Sequence, residues 1–289
     1  QLSQYYGAKD FENLRKSLTH SYRLTAFIAA GVLILSQSFA SLVLTGLHTP
    51  SNIIGMSLLY LRIIFCGIPA TAAYNMFGSA LRAMGNSKTP LTAMIIASVL
   101  NISLDILFVA GFRWGVAGAA IATVIAQSFS AVYCFLILRR IDIVHLTRAD
   151  FMPASGMNAR LMKLGIPVVF QNIIIGVGGL VVQYVINGYG FLFVAGFTAT
   201  NKLYGLLEMA AISYGYAIVT YVGQNLGAGK IDRIRKGVRS SMMLSLLTSL
   251  IISAAMFLFG KNILSLFISG EPQQTQQVLA IAFKYLSIM

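Results

Sequence analysis

The chain has 289 residues, of which 57% are hydrophobic and only 10% are charged. A soluble domain carries about 25% charged residues, so this composition excludes a water-soluble protein and indicates a polytopic membrane protein. The 21 Lys and Arg residues outnumber the 8 Asp and Glu residues, a charge balance that would suit nucleic-acid binding if the basic residues were not concentrated between apolar segments.

Seven apolar segments are long enough to cross about 30 Å of hydrocarbon as helices. They follow a polar, basic stretch at residues 1–23, and an eighth segment opens near Val278. The seven segments are Leu24–Leu47, Asn52–Ala80, Leu91–Phe112, Val116–Leu138, Ile166–Ile186, Phe191–Val222 and Met242–Gly260. The sequence therefore predicts an all-α polytopic membrane protein.

The basic residues of the connecting loops fall almost entirely on one side of the membrane. Sixteen of them lie on one side, and two, Arg113 and Lys261, lie on the other. Because Lys and Arg accumulate in cytoplasmic loops, the first side is predicted to be cytoplasmic. This asymmetry explains the high net charge without nucleic acid as a partner.

Two segments that share a Gln-x-x-Gly-Ala pattern indicate an internal duplication. The first segment runs from Gln4 to Ala8, and the second runs from Gln224 to Ala228. Each is followed by a predicted helix whose first turns contain basic residues. Both are predicted on the cytoplasmic side, as in transporters built from parallel repeats. The longest cytoplasmic loop would divide the halves, which predicts a first lobe at residues 1–140, a linker at 141–160 and a second lobe at 161–289.

One carboxylate lies inside the third apolar segment. Asp105 is costly to place in hydrocarbon, and such residues mark ion or substrate pathways. Asn101 lies one helical turn before it on the same face, and Thr123 would lie at the same depth in an antiparallel hairpin. Their oxygen atoms would converge on a small hard cation. The alternatives are an interhelical hydrogen bond and an ion pair between Asp105 and Arg62.

Three groups of residues resemble the multidrug and toxic compound extrusion (MATE) family of transporters. They are the two Gln-x-x-Gly-Ala loops, the helix pair NISLDILF and GVAGAAIATVIAQ, and the segment SALRAMGNSKTP from Ser79 to Pro90. The resemblance implies two pseudo-symmetric six-helix lobes, of which this chain would hold the third to the tenth helix, with both lobes incomplete. It also implies export of organic cations in exchange for Na⁺ or H⁺.

By the same resemblance, Asn101, Asp105 and Thr123 would bind the coupling ion, as metal ligands if that ion is Na⁺. Candidate substrate contacts in the second half are Glu208, Lys202, Tyr204 and Gln171. The expected protein is a cation-coupled antiporter that acts as a monomer in the cell membrane, with the lipid bilayer and a small organic cation as partners. The alternative is a flippase for a lipid-linked oligosaccharide or a similar amphiphile.

The sequence offers no support for an enzyme or for a nucleotide-driven pump. The apolar segments contain one Asp and one Glu but no His, and Cys66 and Cys134 have no metal-binding spacing. The stretch Gly223–Lys230 lacks both the spacing and the Ser or Thr of a phosphate-binding loop. Neither ATP nor a cofactor is therefore expected, apart from the coupling ion.

Overall fold

The computed structural model describes residues 1–46, 51–152, 156–265 and 272–288. Leu47, where the first predicted span ends, and residues 153–155 of the predicted linker lie outside these ranges. Within them the chain is helical and contains no β-strand. The α-helices in these ranges are α1 (Leu2–Gly7), α2 (Phe11–Gly46), α3 (Ser51–Cys66), α4 (Ile68–Ala83), α5 (Lys88–Asp105), α6 (Gly115–Arg139), α7 (Met157–Asn187), α8 (Phe191–Gly227), α9 (Ile231–Ser265) and α10 (Pro272–Ile288).

The part of the chain that the structure describes contains seven helical stretches that are long and apolar enough to cross a membrane. Each overlaps one of the predicted apolar segments in order, and the second consists of α3 and α4 together. Large apolar side chains are widely exposed on these helices: Phe27 is 80% exposed and Leu180 is 72% exposed. Such a surface requires lipid rather than water, so the prediction of an all-α, multi-pass membrane protein is confirmed.

The second helix begins well before the apolar segment that it contains. Asp10 caps it, because the backbone N–H of Asn13 donates to Asp10 Oδ1 at 3.1 Å. One turn later, Lys16 Nζ donates to Glu12 Oε1 at 2.6 Å. Polar residues therefore extend the helix beyond its membrane-spanning part, and hydropathy alone marks only the apolar portion.

The described residues form two compact units. The first consists of Gln1–Leu161 and Gly223–Gly229, and the second of Met162–Val222 and Lys230–Met289. The core of the first unit joins α2, α4 and α6, and its most buried members include Leu14, Leu18, Leu81, Cys134 and Leu138. The predicted division into two lobes and a linker stays a prediction.

The core of the second unit joins α8, α9 and α10. Leu203 and Leu264 are fully buried there beside Ala282. Thr200 Oγ1 donates to the carbonyl oxygen of Ala282 at 3.1 Å, and a second polar contact joins Tyr214 Oη to Thr248 Oγ1 at 2.7 Å. Hydrogen bonds of this kind join helices where apolar surface alone gives little preference for association.

The two Gln-x-x-Gly-Ala segments pack against each other within the first unit. A Cβ atom added to Gly7 would overlap the backbone carbonyl of Gln224, and one added to Gly227 would overlap the backbone carbonyl of Gln4. The contact is reciprocal, as two copies of one repeat would make it. Gln224 Nε2 also donates to the carbonyl oxygen of Ala83 at 2.8 Å. Glycine is therefore required at both positions for the backbones to approach.

The segment after α6 is attached to α2 through Asp150. This carboxylate accepts hydrogen bonds from the Thr147 backbone N–H at 2.8 Å and the Thr147 hydroxyl at 2.7 Å, and it lies 3.4 Å from Arg15 Nε. The Asp150 carbonyl accepts from Thr19 Oγ1 at 2.6 Å. Burial opposes the charged form, but the hydrogen bonds from Thr147 and the charge of Arg15 outweigh it, so the pKa of Asp150 lies below its ordinary value of 3.8.

Replacing Gly7 or Gly227 by Ala is expected to lower the melting temperature of the intact protein by several degrees. The added methyl group meets backbone atoms, which cannot rotate away, and overpacking of this kind costs about 1–3 kcal/mol. Gly31 in α2 is the matched control, because a Cβ atom there meets nothing within 4 Å. Melting temperatures that are equal in all three variants would contradict the close crossing.

Replacing Asp150 by Asn is expected to lower the melting temperature at neutral pH. Because the folded pKa lies below the unfolded value near 3.8, the stabilisation is complete above that value and is lost as the pH falls through the lower folded pKa. The difference in melting temperature from the wild type should therefore be constant near neutral pH and shrink in strong acid. Asp142→Asn, which alters a fully exposed carboxylate, serves as the control and should show no such difference.

Candidate functional site

A polar cavity of about 380 Å³ lies between α4, α5 and α6 in the first unit. Each of the three helices contributes polar side chains at helical spacing, so that one face of each is polar within an otherwise apolar segment. These side chains include Thr71 and Asn75 on α4, Ser98 and Asn101 on α5, and Thr123 and Gln127 on α6. Polar groups at this depth in a membrane protein are costly and face the interior of the helix bundle or a water-filled path.

Two of the three predicted coupling residues face this cavity. Asn101 and Thr123 both line it, whereas Asp105 lies one helical turn further along α5, at the last residue of that helix, and is not among the lining residues. Thr123 Oγ1 donates to the carbonyl oxygen of Ala119 at 3.0 Å, which leaves its lone pairs available as a ligand. The assignment of an ion to these three residues stays a prediction.

Asn101 and Asp105 each bury a polar atom that lacks a partner. Asn101 Nδ2 and Asp105 Oδ1 are inaccessible and make no hydrogen bond within the described ranges of the chain. A buried polar group without a partner costs about 1–3 kcal/mol, and more when it is charged. The two residues lie one helical turn apart on one face of α5, so both of these costly polar atoms occur in the same part of the helix.

The backbone changes its winding immediately after Asp105. Ile106–Gly111 is π-helical, and Trp114 closes the segment by donating its N–H to the carbonyl oxygen of Phe108 at 2.9 Å. Gly118 on α6 allows this approach, because a Cβ atom there would lie 2.9 Å from Phe108 Cβ. Single π-turns within α-helices occur frequently at functional sites, so the local backbone also distinguishes this end of α5.

A hydrogen bond that the sequence analysis missed joins α4 to α6 at the edge of the cavity. Thr71 Oγ1 donates to Gln127 Oε1 at 2.7 Å. Gly67 allows the two helices to come close, because a Cβ atom on it would lie 3.0 Å from the same oxygen. Helical spacing could have identified Gln127 as a cavity residue, since it lies one helical turn after Thr123 on the same face.

The alternative prediction of an ion pair between Asp105 and Arg62 is wrong. Arg62 forms no ion pair with Asp105 among the described residues, and its side chain is exposed on α3. Its backbone carbonyl accepts a hydrogen bond from Gln37 Nε2 at 2.8 Å. Among the described residues Asp105 is therefore not neutralised by Arg62.

The predicted substrate contacts lie in the second unit. Gln171 is exposed on α7, and Lys202, Tyr204 and Glu208 are exposed on α8. Tyr204 is 42% exposed. A role in substrate binding stays a prediction for all four.

Comparison with known proteins gives consistent matches along the chain. The model of the MatE family matches residues 2–107 and 167–289. "Probable multidrug resistance protein YpnP" of Bacillus subtilis (strain 168) is 33% identical over 288 residues, which cover 98% of this chain and 64% of YpnP. "Multidrug export protein MepA" of Staphylococcus aureus (strain NCTC 8325 / PS 47) is 23% identical, over 93% of this chain and 60% of MepA. The chain spans less than two thirds of the length of these relatives.

Solved structures share the fold. An outward-facing multidrug resistance transporter of the MATE family and the MOP superfamily superposes with a TM-score of 0.90 at 20% identity, over 99% of this chain and 63% of that protein. A MATE structure in complex with MaL6 superposes with a TM-score of 0.89 at 19% identity, over 99% of this chain and 64% of that protein. At such identities the likeness establishes the fold alone.

Replacing Asp105 by Leu is expected to raise the melting temperature of the intact protein at neutral pH in the absence of Na⁺. The change removes a buried oxygen that has no partner and adds apolar surface of similar size, and buried polar groups of this kind cost about 1–3 kcal/mol. Asp142→Leu, at a fully exposed carboxylate, is the control. A lower melting temperature for Asp105→Leu would instead indicate that the carboxylate holds the helices together.

Proposed function

Because the chain belongs to the MatE family, as the match over most of its length shows, we propose that the protein is a secondary-active exporter that moves amphipathic organic cations outward in exchange for Na⁺ or H⁺. The observation that carries the proposal is the pair of partnerless buried atoms on Asn101 and Asp105 beside a polar cavity. The names of the relatives, which describe multidrug resistance or export, support the choice of substrate class.

The coupling ion would bind at Asn101, Asp105 and Thr123. Asp105 would supply the negative charge that attracts the ion. It would either accept a proton or coordinate Na⁺ with one carboxylate oxygen. The amide oxygen of Asn101 and the hydroxyl of Thr123 are neutral oxygen ligands of the kind that hard cations prefer. Among the described residues no three His, Cys, Asp or Glu side chains cluster, so a Na⁺ site here would combine one carboxylate with neutral oxygens.

The bound ion would favour one of two arrangements of the helices. A ligand shifts such an equilibrium only by as much as it binds one state better than the other. Binding at Asp105 would remove the cost of its buried, partnerless oxygen in the state that encloses the ion. The hydrogen bond between Thr71 and Gln127 joins α4 to α6 along the same cavity, so a change at α5 and α6 would be transmitted to α4.

The organic cation would contact the second unit. Glu208 would attract its positive charge, and the ring face of Tyr204 would stack on it through a cation–π contact. Lys202 and Gln171 would restrict which cations fit, by repulsion and by hydrogen bonding respectively. The protein would act as a monomer in the lipid bilayer, without ATP, nucleic acid or a resident cofactor.

Asp105→Asn is expected to reduce gradient-driven efflux of a fluorescent organic cation by at least about fivefold, the lower end of typical coupling energies between two sites. Efflux would be measured from vesicles that contain the intact protein, first under an imposed Na⁺ gradient and then under an imposed pH gradient. The amide preserves the size of the side chain but cannot supply the charge. The gradient that drives the wild type identifies the coupling ion.

Asp142→Asn is the matched control, since it changes an exposed carboxylate outside the membrane-spanning helices and should leave efflux unchanged. Efflux that survives in Asp105→Asn would contradict the coupling role of this residue. Absence of efflux by folded wild-type protein under both gradients would contradict the exporter itself and favour the flippase alternative.

A further inference from the structure

A second cavity in the first unit lies on the opposite side of α4 from the polar cavity. This apolar cavity has a volume of about 470 Å³ and lies between α2 and α4, and Phe135 of α6 also lines it. On α4, Ala72, Ala73 and Met76 face this cavity, whereas Thr71 and Asn75 face the polar one. The apolar cavity is therefore distinct from the candidate coupling site.

A third cavity of about 340 Å³ adjoins the apolar cavity. Tyr22 and Phe135 line both, so the two cavities are adjacent and meet at these side chains. Aromatic contacts hold the junction: the rings of Tyr22 and Phe77 are 5.5 Å apart, and those of Phe77 and Phe135 are 5.3 Å apart. We define these two adjacent cavities together as the amphipathic groove.

The chemistry of the amphipathic groove changes along its length. The inner part is lined by apolar side chains, several of them alanines on α2 and α4 whose small size gives the groove its depth. The outer part is lined by Arg139 and His145 together with apolar residues. Asp142 Oδ1 lies 4.0 Å from His145 Nε2, but Asp142 is fully exposed, so solvent screens its charge.

The length of the amphipathic groove matches one leaflet of a bilayer. Tyr22 and Leu33, which line the two ends of its apolar part on α2, are separated by a rise of about 16 Å, since an α-helix rises about 1.5 Å per residue. The hydrocarbon core of a bilayer is about 30 Å thick, so one leaflet contributes about half of that. The basic end is the end at which the loops concentrate Lys and Arg, which is the side that faces anionic lipid in a cell membrane.

We propose that the amphipathic groove binds one anionic phospholipid of the cytoplasmic leaflet, with an acyl chain between α2 and α4 and the phosphate beside Arg139 and His145. The guanidinium of Arg139 and the imidazole of His145 donate hydrogen bonds to phosphate oxygens. The apolar wall of the groove contacts the acyl chain in place of neighbouring lipids. The site is separate from ion coupling and from drug export, and it does not depend on either.

The test is native mass spectrometry of the intact, delipidated protein with equal amounts of phosphatidylglycerol and phosphatidylcholine. The wild type is expected to retain phosphatidylglycerol preferentially. Arg139→Gln should weaken that retention about fivefold, the effect expected for removing one basic residue from an anionic lipid surface. Arg140→Gln, which changes a neighbouring exposed residue that does not line the groove, should retain the lipid as the wild type does.

A second pair of variants tests the acyl-chain part of the groove. Ala26→Phe places a ring in the groove from an exposed position on α2 and should abolish retention, whereas Val32→Phe on the same helix, outside the groove, should not. Should Ala26→Phe fail to fold, the Arg139 and Arg140 pair decides alone. Three results would each overturn the proposal. The wild type could retain both lipids equally, or Arg139→Gln could have no effect. The wild type could also retain no lipid, because another part of the intact protein fills the groove.

Discussion

The cost of placing polar groups in hydrocarbon is the constraint on which the first unit depends. Thr123 lowers this cost by a hydrogen bond to its own helix, and Thr71 and Gln127 lower it by a hydrogen bond between α4 and α6. Asn101 and Asp105 each leave one buried atom without a partner. The surrounding packing bears this cost, as proteins commonly do at sites where a ligand completes the set of contacts.

Hydropathy predicted the membrane-spanning segments because burial in lipid is a matter of composition over about twenty residues. Helical spacing and depth in the hairpin similarly predicted that Asn101, Asp105 and Thr123 would converge, and Asn101 and Thr123 line one cavity. The π-helical segment Ile106–Gly111 was not predictable in this way, because it depends on the close approach of Phe108 to Gly118. The Arg62 alternative was wrong because depth along a helix says nothing about the direction in which the side chain points.

Small residues perform two different tasks in the first unit. Gly7 and Gly227 let the two Gln-x-x-Gly-Ala segments cross with their backbones in contact. The alanines of α2 and α4 instead line a groove between the two helices, because their side chains are too short to fill it. The glycine pattern was visible in the sequence as a repeated motif. The alanine pattern could not be distinguished from an ordinary apolar helix, since composition is the same for a packed surface and an open one.

Infrared difference spectroscopy of the intact protein would detect the proposed binding of the coupling ion by Asp105. Spectra would be recorded across a pH step and on addition of Na⁺, for the wild type and for Asp105→Asn. The account predicts a carboxyl signal from protonation, or a shifted carboxylate signal from Na⁺ coordination, that is present in the wild type and absent in the variant. A difference spectrum that is unchanged in Asp105→Asn would contradict it.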